Sequence, residues 1–325
     1  MRKMLWGFAG LFVLALGVFG GVLAFDAPVK PQPLALISDP FINVDFSDLP
    51  TVRTYPARDG TKLGYRAYES HGTQVIVLIH GSSDDGSGLH PLAKALRDAG
   101  ASVYVPVLRG HGNFGRSGDI DYIGQLEDDL ADFVTVLRPL NPNSSFTLIG
   151  FSSGGGFVSR VIASPDEKLF DRFIMVSPAL PRGAPTIRPG TGGWVSLAMP
   201  RIIALTILNQ VGINWFNGLP IIAFATSPKA PNLTSVYSLR LAVDFGAPRD
   251  YLAGLGRSTK PAALLIGSED ELFYADRFEP LFGPVRPDMH ITIVPGIGHI
   301  GMTVAPAGIA AVLKSFLDLI APVTR

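Results

Sequence analysis

Hydrophobic and polar positions along this chain switch repeatedly between a period of two and a period near 3.6. Val52–Tyr55 and Leu63–Tyr68 flank Arg58-Asp59-Gly60, which reads as a hairpin. Gln74–His80 is a continuous Val/Ile-rich run, the pattern of a strand covered on both faces. His90–Ala99 has helical spacing and stops at Gly100. Ser102–Val107 predicts a second buried strand. Within Tyr122–Leu137, the side chains of Leu126, Leu130, Phe133, Val134 and Leu137 share one helical face. Ser145–Ile149 predicts a strand and Gly155–Ala163 a helix. Phe173–Val176, Ala262–Ile266 and Ile291–Val294 are further short apolar strands. Ile309, Val312, Leu313, Phe316, Leu317 and Ile320 predict an amphipathic terminal helix. Strands alternating with helices imply a mainly parallel central sheet flanked by helices, an α/β class.

Two regions break the alternation. Residues 181–260 crowd large apolar side chains, among them Trp194, Leu197, Met199, Ile202, Ile203 and Leu205, and read as an inserted, mostly helical lid. At the other break, Arg2 and Lys3 precede an uncharged run from Met4 to Phe25. A basic start followed by such a run is an export signal, or an anchor long enough to span a ~30 Å hydrocarbon core. Residues 1–25 are therefore read as a signal peptide or membrane anchor, with Val22-Leu23-Ala24 suited to cleavage. Either way the rest of the chain lies outside the cytoplasm, tethered to the membrane or exported to a periplasmic or extracellular space. Residues 26–50 read as a Pro-rich linker, and residues 51–325 as the body of the chain.

Composition narrows the chemistry. The 325 residues carry 27 Lys+Arg and 27 Asp+Glu, which argues against nucleic acid as a partner. The absence of cysteine removes disulfide frameworks, thiol catalysis and Cys-ligated metal. No metal-binding or dinucleotide motif is present, so no metal and no cofactor is expected. Asp84-Asp85-Gly86-Ser87-Gly88 is an incomplete calcium loop. Glu127, Asp128, Asp129 and Asp132 read as a solvated helix face.

Gly150-Phe151-Ser152-Ser153-Gly154 follows a buried strand and opens a helix, the context of a nucleophile elbow with Ser152 at its tip. A hydroxyl needs a base to become a nucleophile. His299, in the glycine-bearing loop before the terminal helix, occupies the position for it. The imidazole needs an orienting carboxylate. Glu269, Asp270 and Glu271 follow the penultimate strand, and Asp270 is the preferred choice. His80-Gly81-Ser82-Ser83 ends the first buried strand. The backbone N–H groups of Ser82 and Ser153 are candidates for an oxyanion hole, each donor worth roughly 3–4 kcal/mol.

With these residues placed, the chain resembles an α/β-hydrolase over about residues 55–180 and 260–320. Arg109-Gly110-His111-Gly112, followed by Ser117-Gly118, is similar to a segment of monoacylglycerol lipases, lysophospholipases and serine-aminopeptidase-like hydrolases. Two positions depart from those lipases. Val107 stands where an acid is usual, and Ser82-Ser83-Asp84-Asp85 replaces a Gly-Glu continuation. The resemblance implies a serine esterase acting through an acyl-enzyme; Arg109 and His111 are read as structural residues that brace the oxyanion loop. The apolar insert favours a small-molecule ester or lipid with a hydrophobic acyl chain. Amide or peptide hydrolysis or acyl transfer on the same triad, non-catalytic lipid binding, and a cofactor-free haloperoxidase- or lyase-like activity that the fold can also host are the alternatives.

Overall fold

A computed structural model describes residues 17–227 and 232–321. Its main sheet is built from β1 (Arg53–Pro56), β2 (Lys62–Tyr68), β3 (Gln74–Ile79), β4 (Ala101–Val107), β5 (Ser145–Phe151), β6 (Arg172–Val176), β10 (Ala262–Gly267) and β11 (His290–Val294). Their order is β1-β2-β4-β3-β5-β6-β10-β11. Only β2 runs against its neighbours; the other pairings are parallel.

The uniform apolarity of β3 has a simple cause. Successive strand side chains point to opposite faces. Val75, Val77 and Ile79 enter one core, and Ile76 and Leu78 enter the other. Helices α1 (His90–Asp98), α2 (Gln125–Leu140) and α3 (Ser153–Ile162) follow the strands that the periodicity places before them. The predicted α2 face is buried from Leu126 to Leu137. It packs with α3 on one side of the sheet, while α1 and the terminal helix Pro306–Ile320 pack on the other. Leu317 lies at the edge of the terminal helix's apolar stripe and is exposed, and Leu319 packs in its place.

Three expectations are refined or corrected. First, the insert has helices at Met199–Gln210, Leu239–Asp244 and Tyr251–Arg257 but is not helical throughout. Beside α4 (Met199–Gln210) it carries a three-stranded antiparallel sheet of β7 (Val195–Leu197), β8 (Pro220–Phe224) and β9 (Val236–Ser238). Short apolar runs do not reveal by periodicity whether they are strand or helix. Second, residues 26–50 are not a free tether. Leu34, Ile37 and Phe41 pack against the body's cores. Asp26 Oδ2 accepts the Arg201 N–H at 2.9 Å, and Asp48 binds both His90 and Lys94. Third, Asp129 is buried, not solvated, because Arg109 clasps its carboxylate with two bonds of 2.8 Å. Glu127 likewise pairs with Arg160. Asp85, in the incomplete calcium loop, is held by Arg66 and Ser87.

Residues 1–16 lie outside the described residues, so most of the expected signal or anchor segment falls there. Among the described residues no helix is long and apolar enough to cross a membrane.

Candidate active site

The elbow follows from close approach of backbone segments. A Cβ on Gly150 would stand 2.1 Å from the Gly154 carbonyl oxygen, and one on Gly154 would stand 2.5 Å from that of His80. Glycine at both positions lets β5 turn directly into α3. Ser152, at the bend, is forced to φ 56° and ψ −118°. Such strain persists only where neighbours fix it. The Ser152 N–H donates to the Val176 carbonyl at 2.9 Å, and its own carbonyl accepts from Gly156 and Ala179.

His299 reaches this point from the loop after β11. Its Nε2 lies 3.0 Å from Ser152 Oγ, and its Nδ1 lies 2.7 Å from Asp270 Oδ2. The second Asp270 oxygen accepts the N–H groups of Leu272 and Phe273, both at 2.9 Å. Burial alone would raise the Asp270 pKa. The charge of His299 and the hydrogen bonds from His299, Leu272 and Phe273 outweigh it, and the carboxyl lies below its usual range. With Asp270 ionised, Nδ1 carries the proton and Nε2 is free to accept one from Ser152. Of the three acids weighed from sequence, Asp270 meets the imidazole. Glu269 is exposed, and Glu271 accepts the His299 backbone N–H at 2.8 Å. Glu271 thus fixes the loop that carries the base.

Ser153 is the first residue of α3, so its N–H has no acceptor within the helix. The Ser82 N–H has no backbone acceptor among the described residues. The loop that carries Ser82 is held from the insert. Tyr237 Oη accepts the Ser83 N–H at 2.7 Å and donates to His111 Nε2. His111 Nδ1 in turn faces the carbonyls of Leu108 and Arg109. The Thr234 carbonyl accepts from Ser83 Oγ, and Trp194 Nε1–H donates to Ser82 Oγ at 3.0 Å. His80 braces the loop's other end. It accepts the Leu108 N–H at Nε2 and donates from Nδ1 to Gly81 O, and burial lowers its pKa to about 4. Bracing of this loop by His111 is thus indirect, through Tyr237. The Arg109 side chain takes no part in it, since its guanidinium binds Asp129, Asp59 and Thr61. Tyr237 and Trp194 carry no sequence signal, because only folding brings the insert over the loop.

Two cavities meet at Ser152. The larger, about 540 Å³, lies under the insert between residues such as Leu180, Leu197, Phe224 and Phe245. The smaller, about 90 Å³, is walled by Ile37, Phe41, Leu89, Phe151, His299 and Ile300. The larger falls within the usual range of ligand sites. Among the described residues no cluster of three His, Cys, Asp or Glu side chains could hold a metal.

The family model described as serine aminopeptidase, S33 (Hydrolase_4) matches residues 70–302. Similar solved structures include a soluble variant of monoglyceride lipase from Saccharomyces cerevisiae with a substrate analogue bound. It is 17% identical over 90% of this chain and 98% of that one, with a TM-score of 0.63. A putative aryl esterase from Burkholderia cenocepacia is 18% identical over 83% of this chain and 98% of that one, with a TM-score of 0.60. A monoacylglycerol lipase from Paleococcus ferrophilus is 18% identical over 79% of this chain and 99% of that one, with a TM-score of 0.59. No curated protein matches the chain. At these identities the structural likeness speaks for the fold, while the family match covers most of the body. The chain belongs to the serine aminopeptidase S33-like family of α/β hydrolases.

Proposed function

We propose that the protein is a serine hydrolase that cleaves carboxylic esters with a hydrophobic acyl chain. The observation that carries this reading is one imidazole joining Ser152 to a buried, ionised Asp270 at the mouth of an apolar cavity. In the reaction, Ser152 Oγ attacks the ester carbonyl as His299 Nε2 takes its proton. The oxygen that gains charge is met by the N–H groups of Ser82 and Ser153. Collapse expels the alcohol, which takes the proton from His299. Water, deprotonated by the same nitrogen, then releases the acid. An acyl chain fits the cavity under the insert, whose walls are mainly aliphatic and aromatic. The basic start and uncharged run of residues 1–25 support a reading in which the catalytic domain lies outside the cytoplasm.

The experiment is labelling with a fluorophosphonate probe. Wild type is expected to label and Ser152→Ala is not. On a medium-chain ester, Ser152→Ala should lose at least about 10⁴-fold in kcat. Folded wild type that resists the probe would sink the reading.

A further inference from the structure

The two cavities at Ser152 are not equivalent, and one of them is closed by the segment that the sequence marks as linker. Ile37 and Phe41 form a wall of the smaller cavity. The Phe41 ring is seated tightly, since a Cβ on Gly88 would stand 3.2 Å from its Cζ. The strap is pinned on both sides of this point. At one end Asp26 binds the first turn of α4. At the other, Asp48 binds His90 and Lys94, and Phe46 stacks on His90 with centroids 6.0 Å apart.

The chemistry of the proposed reaction assigns the cavities. Three substituents of the attacked carbon must be placed around Ser152 Oγ. The carbonyl oxygen points to the Ser82 and Ser153 amides. The leaving oxygen must lie beside His299 Nε2, because that nitrogen returns the proton as the C–O bond breaks and the Oγ–C bond stands. His299 lines the strap cavity and not the cavity under the insert, whereas Ser153 lines the cavity under the insert and not the strap cavity. The acyl chain is left with the larger space.

We infer that the strap cavity is the subsite for the alcohol half of the substrate, and that Ile37 and Phe41 set which alcohols fit. This rests on the serine-hydrolase reading above. The subsite takes a compact, apolar alcohol, since its walls are largely hydrocarbon and its volume is small. The N-terminal strap is then a specificity-determining part of the site.

Two ester series on the purified full chain test this. One holds a butanoyl acyl group and varies the alcohol through methyl, butyl and benzyl. The other holds methanol and lengthens the acyl chain from butanoate to dodecanoate. Phe41→Ala and Ile37→Ala are expected to raise the benzyl-to-methyl ratio of kcat/KM about tenfold, the usual scale for a change of pocket volume. Their acyl-length profiles should match wild type. Ile37→Phe should move the alcohol ratio the other way, which keeps the test open if the smaller side chains unfold the strap. An unmoved alcohol ratio in variants that still label with fluorophosphonate overturns the assignment alone. A shifted acyl profile with a fixed alcohol ratio reverses the two cavities. Absence of labelling in wild type overturns both readings.

Discussion

Asp84 lies in the wall of the strap cavity, where burial, with the neighbouring Asp85 charge, pushes its carboxyl up to about 7. Its Oδ1 accepts the N–H groups of Asp85 and Gly88, and the Arg66 charge opposes the rise. The raised value has a sign that can be measured. Between the ordinary carboxyl range and pH 7, the folded chain keeps a proton that the unfolded chain has lost. Stability therefore falls as pH rises through that window, and the loss is complete above it. Asp84→Asn keeps an acceptor for both amides and removes the titration. The thermal midpoint of the variant relative to wild type should rise from pH 4 to pH 7 and then level off. A difference that is flat across this range would refute the buried proton. At this same scale, Ser152 and His299 were legible because glycine spacing and chain order constrain them. Asp270 was the acid preferred from sequence, and the geometry gives Glu271 a different task on the same loop.

At the scale of elements, the acid missing before Arg109 is supplied from another helix. Val107 stands where an acid was expected, and Asp129 from α2 meets the guanidinium instead. Both side chains are at most 5% exposed. Removing one partner of such a pair leaves an uncompensated buried charge, so Arg109→Ala should cost about 3–5 kcal/mol, read from urea denaturation. Activity per folded molecule should stay near wild type, because the guanidinium touches no residue of the oxyanion loop. An Arg109→Ala enzyme that is stable but inactive would restore the bracing role that the sequence suggested. The periodicity marked α2's buried face correctly, yet periodicity counts only apolar positions. It has no means of seeing that Asp129, beside that face, meets a cation from a distant turn.

The whole molecule joins the leader to the lid. Leu23 packs with Leu205, Ile221 and Leu239, and Asp26 binds the first turn of α4. Cleavage after Ala24 would remove the Leu23 contact. We propose, on that contact, that residues 1–25 are retained, one of the two fates the sequence leaves open. The expressed full chain should stay in the membrane pellet after alkaline carbonate washing. A soluble product beginning at Phe25 would show the opposite. Retention would also hold the strap, and with it the proposed alcohol subsite, close to the bilayer surface.

Local pattern alone was enough for the strand and helix order of the body, the elbow and the late histidine. Each depends on neighbours in sequence, either through side-chain periodicity or through glycine where backbones nearly touch. The strap, the sheet within the insert, the Arg109–Asp129 pair and the Tyr237–His111 brace were decided by the tertiary structure. Each of them joins segments far apart in the chain. Val/Ile-rich strands and a Pro-rich linker look the same in sequence whether or not a distant surface is there to cover them. Which surface covers them is settled when the two faces of the sheet bury their side chains and the remaining segments close over Ser152.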